Sequence, residues 1–187
     1  MFDGFPIPIC HLKRYKRSNS VRDTGAVGFC ASKDEKYFGF TGHLLIGKRG
    51  VIKGFGLAPA NIDERDVLPD VAEGIQGILL ADKGLIRPFL KEALANQGID
   101  LQTPLKKNID DTRPQWFVQK IVSVRRLVET VIGQLVDRFH IQAIKAKDVW
   151  HLGAKIGRKL LSHTVAFCLN LSENPKTPLQ FDNLISS

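Results

Sequence analysis

Long hydrophobic runs are missing from this sequence. No stretch approaches the roughly 18 consecutive apolar residues that a membrane-spanning helix needs. The first residues hold no apolar leader either, since Pro6, Pro8 and His11 interrupt them. The expectation is therefore a protein that is neither membrane-bound nor secreted. Cysteine is scarce as well. Cys10, Cys30 and Cys168 form no CxxC pair, which excludes a disulfide framework and argues against a structural zinc site. A reducing compartment suits them. No Walker A loop, GxSxG elbow or HExxH motif occurs. Gly54-Phe55-Gly56 lacks the third glycine and the following helix of a dinucleotide loop. His140, His151 and His163 fall on expected helices without metal-ligand spacing, and His43, inside an apolar strand pattern, reads as a packed and hydrogen-bonded residue.

Acidic charge is in deficit: 27 Lys and Arg stand against 19 Asp and Glu, a net +8. That excess points to a polyanionic partner, and its distribution sharpens the point. From Cys10 to Arg22 the chain carries Lys13, Arg14, Lys16, Arg17 and Arg22 and no carboxylate. Residues 60–100 are net negative by four, whereas residues 116–160 are net +6. Each basic stretch read alone is explained as well by a solvated face as by a binding surface; two of them around an acidic middle suggest a nucleic-acid groove. Tyr15, Trp116 and Trp150 lie near the basic runs and could stack on bases, although core packing is the expectation for both tryptophans. With 43% hydrophobic and 25% charged residues the chain has an ordinary globular composition, and its 187 residues suffice for one domain with a core.

The coarse pattern runs from strands to helices. Pro6 and Pro8 force the opening segment into extended geometry. Tyr37–Ile46 and Val51–Leu57 are β-branched and aromatic runs flanking Gly47–Gly50, a hairpin signature. Asn61 or Asp63 can cap a helix with apolar positions Val67, Leu68, Val71 and Ala72, which Gly74 and Gly77 stop. Ile78–Ala81 reads as a strand buried on both faces. Pro88–Asn96 reads as a helix ended by Gly98, and Ile99–Thr103 as a strand. A long helix spans Trp116 to about Phe139, with Phe117, Ile121, Val124, Val128, Val131, Leu135 and Phe139 on one stripe. A last helix covers roughly Val149–Leu169. This order predicts an α/β fold, a mixed sheet with helices on its faces.

Three carboxylates stand out by context. Asp82 follows the apolar run 78–81 at once, at the C-terminal end of an expected parallel strand, the edge where open α/β sheets bind ligands. Asp3 interrupts an extended apolar segment. Glu129 lies on the margin of the long helix's apolar stripe, within reach of Arg125 and Arg126. Each has a plain alternative: a turn residue for Asp82, a surface ion pair for Glu129, and nothing at all for Asp3.

Taken in order, the segments around them resemble a family. Phe2-Asp3-Gly4-Phe5-Pro6-Ile7-Pro8-Ile9-Cys10-His11 is similar to the first acidic motif of DDE transposases from bacterial insertion sequences, most closely the insertion sequence 982-type family, where many members carry Ser in place of Gly4. The resemblance continues through YFGFTGHLLI, GFGLAPANIDERDVLPD, LLADKGL, RRLVETVIGQL and RFHIQAIKAKDVWHL into the final apolar helix. It implies an RNase H-like domain over residues 1–172, followed by a C-terminal tail over 173–187. It also implies Asp3, Asp82 and Glu129 as catalytic carboxylates holding two Mg²⁺ or Mn²⁺ ions. Such a pair stabilises the attacking and leaving oxygens of a phosphoryl displacement. Arg125 matches the Arg of a related Tyr-Arg-Glu-Lys pattern, whose Tyr and Lys fall here at Val122 and Val136; Arg125 or equally Arg126 would contact phosphate. Lys13, Arg14, Lys16 and Arg17 join them as expected DNA contacts. The implied partners are the insertion-sequence ends and target DNA, met as a homo-oligomer on DNA in the bacterial cytoplasm, at the nucleoid. Because the first acid is residue 3, the first strand is expected to be largely truncated and the family's end-binding region absent. That opens a second reading, a catalytically inactive DNA-binding remnant that interferes with a full-length transposase.

Overall fold

Two prolines shape the first element of the computed structural model, which describes residues 1–17, 21, 24–30, 34–105 and 110–181. Strand β1 (Phe2–His11) carries both Pro6 and Pro8 and pairs antiparallel with β3 (Glu35–Ile46), from Phe2 opposite Leu45 to His11 opposite Tyr37. It forms the edge of its ladder, where a strand tolerates residues without an N–H, and a bulge follows between Pro8 and Cys10. Asp3 is the second residue of this strand, which runs for 10 residues.

On its other side β3 pairs with β2 (Ala26–Cys30) and with β4 (Ile52–Pro59), both antiparallel. The β3–β4 hairpin was legible in the sequence, and β2 was not. Helix α1 (Glu64–Val71) follows, its N-cap Asp63 accepting the Arg65 amide at 3.0 Å. Then come β5 (Gly77–Leu80), α2 (Pro88–Asn96) and β6 (Ile99–Gln102), with β5 and β6 paired in parallel. The long helices α3 (Gln115–Asp137) and α4 (Val149–Glu173) complete the chain. This mixed α/β architecture of antiparallel and parallel ladders flanked by four helices is consistent with an RNase H-like domain. The single mixed sheet expected from the sequence is instead two ladders: four antiparallel strands, and the β5–β6 pair.

Strand alternation sorts the side chains into two cores. Phe5, Ile7, Phe40, Leu44 and Ile46 pack with Ile121, Val128, Val131 and Leu135 of α3 and with Leu152 and Ile156 of α4. Phe2 and Leu45 pack on the opposite face with Leu68, Leu90, Leu94, Ile99 and Leu101. Strand β5 serves both, Leu80 joining the first core and Leu79 the second. Ile78, expected to be buried, is 61% exposed. Trp116 and Trp150, expected in the core, are 68% and 81% exposed, because each opens its helix outside the buried stripe. Beyond α4, Phe181 returns to the core and meets Phe139 and His163 edge to face.

Helix α1 lies close on the hairpin because β4 presents glycines to it. A Cβ on Gly54 would stand 2.7 Å from the Val71 carbonyl oxygen. We expect Gly54→Val to push α1 from β4 and to cost about 1–3 kcal/mol, read by urea unfolding; unchanged stability would mean the contact is loose. His43 supplies a second test. It is fully buried, stacked on Phe2 at 5.7 Å, and neither ring nitrogen has a hydrogen-bond partner among the described residues. It is packed as expected, but not hydrogen-bonded. Burial holds its pKa down to about 4, against 6.5 ordinarily. The unfolded chain therefore takes up a proton that the folded chain refuses, and stability present above pH 6.5 is lost as pH falls toward 4. His43→Leu should flatten that acid slope; a slope unchanged by the substitution would contradict the neutral buried imidazole.

Candidate active site

Asp3 stands second in β1 and, by alternation, faces the same side as Phe5 and Ile7, toward α3. Its Oδ1 accepts the Gly4 amide at 2.9 Å. Burial pushes its carboxyl pKa upward, the Gly4 hydrogen bond opposes that, and the nearby charges of Asp82 and Glu129 add to the rise while Arg125 counters it. Three carboxylates from distant parts of the chain thus share one electrostatic neighbourhood.

Asp82 follows β5 after one residue. Its backbone carbonyl accepts the Leu85 amide at 3.0 Å and so starts the 3₁₀ turn Lys83–Leu85, but its side chain makes no capping bond. The turn-residue reading therefore accounts for the main chain of Asp82 alone. Its carboxylate points to α3, where Arg125 Nη1 donates to Oδ1 at 3.3 Å. The same guanidinium, through Nε, donates to Glu129 Oε1 one helical turn on, also at 3.3 Å. Arg125 thus spans β5 and α3 as a bridge between two expected metal ligands. Asp82 and Glu129 keep 40% and 56% of their side-chain surface open, so solvent and a substrate can reach both.

A fourth carboxylate belongs to this neighbourhood, and reading the sequence missed it. Glu64, the first residue of α1, fills the space that a side chain at position 4 would take. Its pKa is raised by burial first and then by Asp3, Asp63 and Asp82. No local signal marks it. Glu64 resembles any acid in a first helical turn, and only the fold sets it against a residue 4 without a side chain.

Among the described residues no three His, Cys, Asp or Glu side chains are gathered as a ligand set. The chemistry of the donors nonetheless suits a hard cation. Hard divalent ions choose carboxylate oxygens, and a positive group, the Arg125 guanidinium, already sits between Asp82 and Glu129. Of the other expected contacts, Lys13 is exposed on the 3₁₀ turn Leu12–Arg17, and Arg126 is exposed on α3. The side chains of Arg14, Lys16 and Arg17, and the whole of Arg22, lie outside the described residues. His11 ends β1 and is exposed.

A family model described as a transposase DDE domain matches residues 1–149. Comparison with curated proteins and with solved structures gives no match. The matched region contains β1 and α3, which carry Asp3 and Glu129, and the turn after β5 that begins at Asp82.

The charge balance around Asp3 can be titrated. Carbon-detected NMR of the Asp3 carboxyl should give a higher pKa in Arg125→Ala, which removes the countering cation, and a lower one in Asp82→Asn, which removes a like charge. Identical titrations in all three proteins would mean that the groups do not face one another.

Proposed function

The chain belongs to the transposase DDE-domain family, and on that premise we propose that Asp3, Asp82 and Glu129 form the catalytic site of a metal-dependent DNA strand-transfer reaction. One observation carries the reading. Asp82 and Glu129 are held toward each other by a single guanidinium, beside a half-buried Asp3 whose titration both of them perturb. The quoted segments favour the 982-type insertion sequences within the family.

In this reading Asp3, Asp82 and Glu129 would together hold the divalent ions through their carboxylate oxygens. Mg²⁺ or Mn²⁺, when bound, supplies charge stabilisation to both the attacking and the leaving oxygen of an in-line displacement. Arg125, which holds Asp82 and Glu129 here, would also be placed to contact a phosphate, a role for which a planar guanidinium is well suited. The first step adds water to phosphorus and breaks the bond to the 3′ oxygen, leaving a 3′-hydroxyl at the element end and a 5′-phosphate on the flank. In the second step that hydroxyl attacks a target phosphodiester, so one bond forms and one breaks with no covalent enzyme intermediate. Lys13, Arg14, Lys16, Arg17 and Arg126 supply phosphate contacts outside the carboxylate cluster, and the protein acts as a homo-oligomer on DNA.

A second reading, an inactive DNA-binding remnant that interferes with a full-length relative, draws on a different observation. The strands that carry Asp3 and lead to Asp82 belong to separate ladders. Cleavage of a labelled duplex in Mn²⁺ separates the two. The enzymatic reading expects strand cleavage that Asp82→Asn and Glu129→Gln each reduce by about 10²-fold or more, with duplex affinity unchanged. Binding without cleavage in the unaltered protein would sink it in favour of the remnant.

A further inference from the structure

Gly4 lies inside β1, opposite His43 of β3, and its φ is not positive. A glycine there weakens the strand and answers no turn. Away from a bulge, a strand glycine marks the close approach of another group. Here that group is Glu64. A Cβ at position 4 would overlap Glu64 Oε1 and would stand 3.5 Å from His43 Nδ1. The carboxylate is thus seated on the main chain of residue 4, with the imidazole behind it.

The seat lies directly behind Asp3. By alternation position 4 and His43 face α1, whereas Asp3 faces α3. The Gly4 amide is also the group that binds Asp3 Oδ1, at 2.9 Å. Residue 4 therefore holds the Asp3 carboxylate through its N–H and receives Glu64 against its Cα. Helix α1 delivers Glu64 from a fixed position: Asp63 caps its start, and Leu68 and Ala72 are fully buried beneath it. Glu64 itself makes no hydrogen bond or ion pair among the described residues, although its neighbour Arg65 binds Asp63 through two nitrogens. His43 is fully buried with neither ring nitrogen bonded among those residues. No cap or salt bridge turns Glu64 inward; the room above Gly4 does.

We propose that Glu64 is a positioning residue: seated on Gly4, it braces β1 from the α1 side and fixes the amide that orients the Asp3 carboxylate toward α3. The brace works by shape. A site whose carboxylates must be held in one geometry needs its supporting residues locked by packing, and Glu64 supplies for Asp3 the support that Arg125 supplies for Asp82 and Glu129. The inference rests on the proposed function for the chemistry that Asp3 performs, while the brace itself is a property of the ion-free chain.

Hydrogen exchange of the Gly4 amide, followed by NMR on the ion-free full chain, reads the brace. Glu64→Ala empties the seat and should speed that exchange at least about fivefold, the effect of losing one hydrogen bond, with the rest of the β1–β3 ladder unchanged. Glu64→Gln keeps the shape without the charge and should stay close to the unaltered protein. The double variant Gly4→Ala with Glu64→Ala puts a methyl group into the emptied seat and should restore slow exchange. Calorimetric Mn²⁺ affinity should follow the same order, weakened in Glu64→Ala and recovered in the double variant. Equal acceleration in Glu64→Gln and Glu64→Ala, with no recovery in the double variant, would overturn the brace and leave Glu64 acting through its charge. Unchanged exchange at Gly4 in all three variants would overturn it outright. A chain that follows the predicted exchange but binds no Mn²⁺ would sink the proposed function and leave the brace standing.

Discussion

Like charges brought together by folding are the constraint on which this structure turns. Asp3, Glu64, Asp82 and Glu129 come from a strand, a helix start, the turn after a strand and the middle of a long helix; Asp82 and Glu129 oppose the ionisation of Asp3, and Asp3 and Asp82 that of Glu64. Arg125 offsets part of that cost by bonding two of them at once. Two apolar cores supply the remainder. One seats α3 against β1 and the other seats α1 and α2 against β5, so the acids are held by packing that does not involve them. The proposed function gives this cluster its meaning: carboxylates gathered against their own repulsion would suit a positive guest.

The carboxylates owe their positions to details that are small in sequence and decisive in space. Gly4 leaves room for Glu64, and Gly54 and Gly56 let α1 settle on β4. Asp82 makes its turn through the main chain, so its side chain is free to face α3. Asp3 follows the alternation of Phe5 and Ile7 and so looks toward the helix that carries Glu129. On the reverse face of the same strands His43 is buried against Phe2, and burial disfavours its charged form.

Much of this was legible in the residues. The run 78–81, the α3 stripe and the β3–β4 hairpin follow from hydrophobic period and glycine placement, and the structure places them within a few residues of expectation. What escaped has physical reasons. Strand β2 is short and follows residues with no periodic pattern. Trp116 and Trp150 were expected inside because large aromatics usually are, yet both open helices whose buried stripes begin later. Glu64 cannot be told from an ordinary first-turn acid until Gly4 is set beside it. The separation of the two ladders needs the actual hydrogen bonds, since a run such as Gly77–Leu80 reads the same whether one edge is paired or both.

Calorimetric titration of Mn²⁺ into the full chain, beside the Asp82→Asn and Glu129→Gln variants, tests the central claim most directly. The account predicts binding in the unaltered protein that both substitutions weaken, since each removes a ligand from a shared site. A folded protein that binds no Mn²⁺, or binds it equally well without Asp82 or Glu129, would contradict the account.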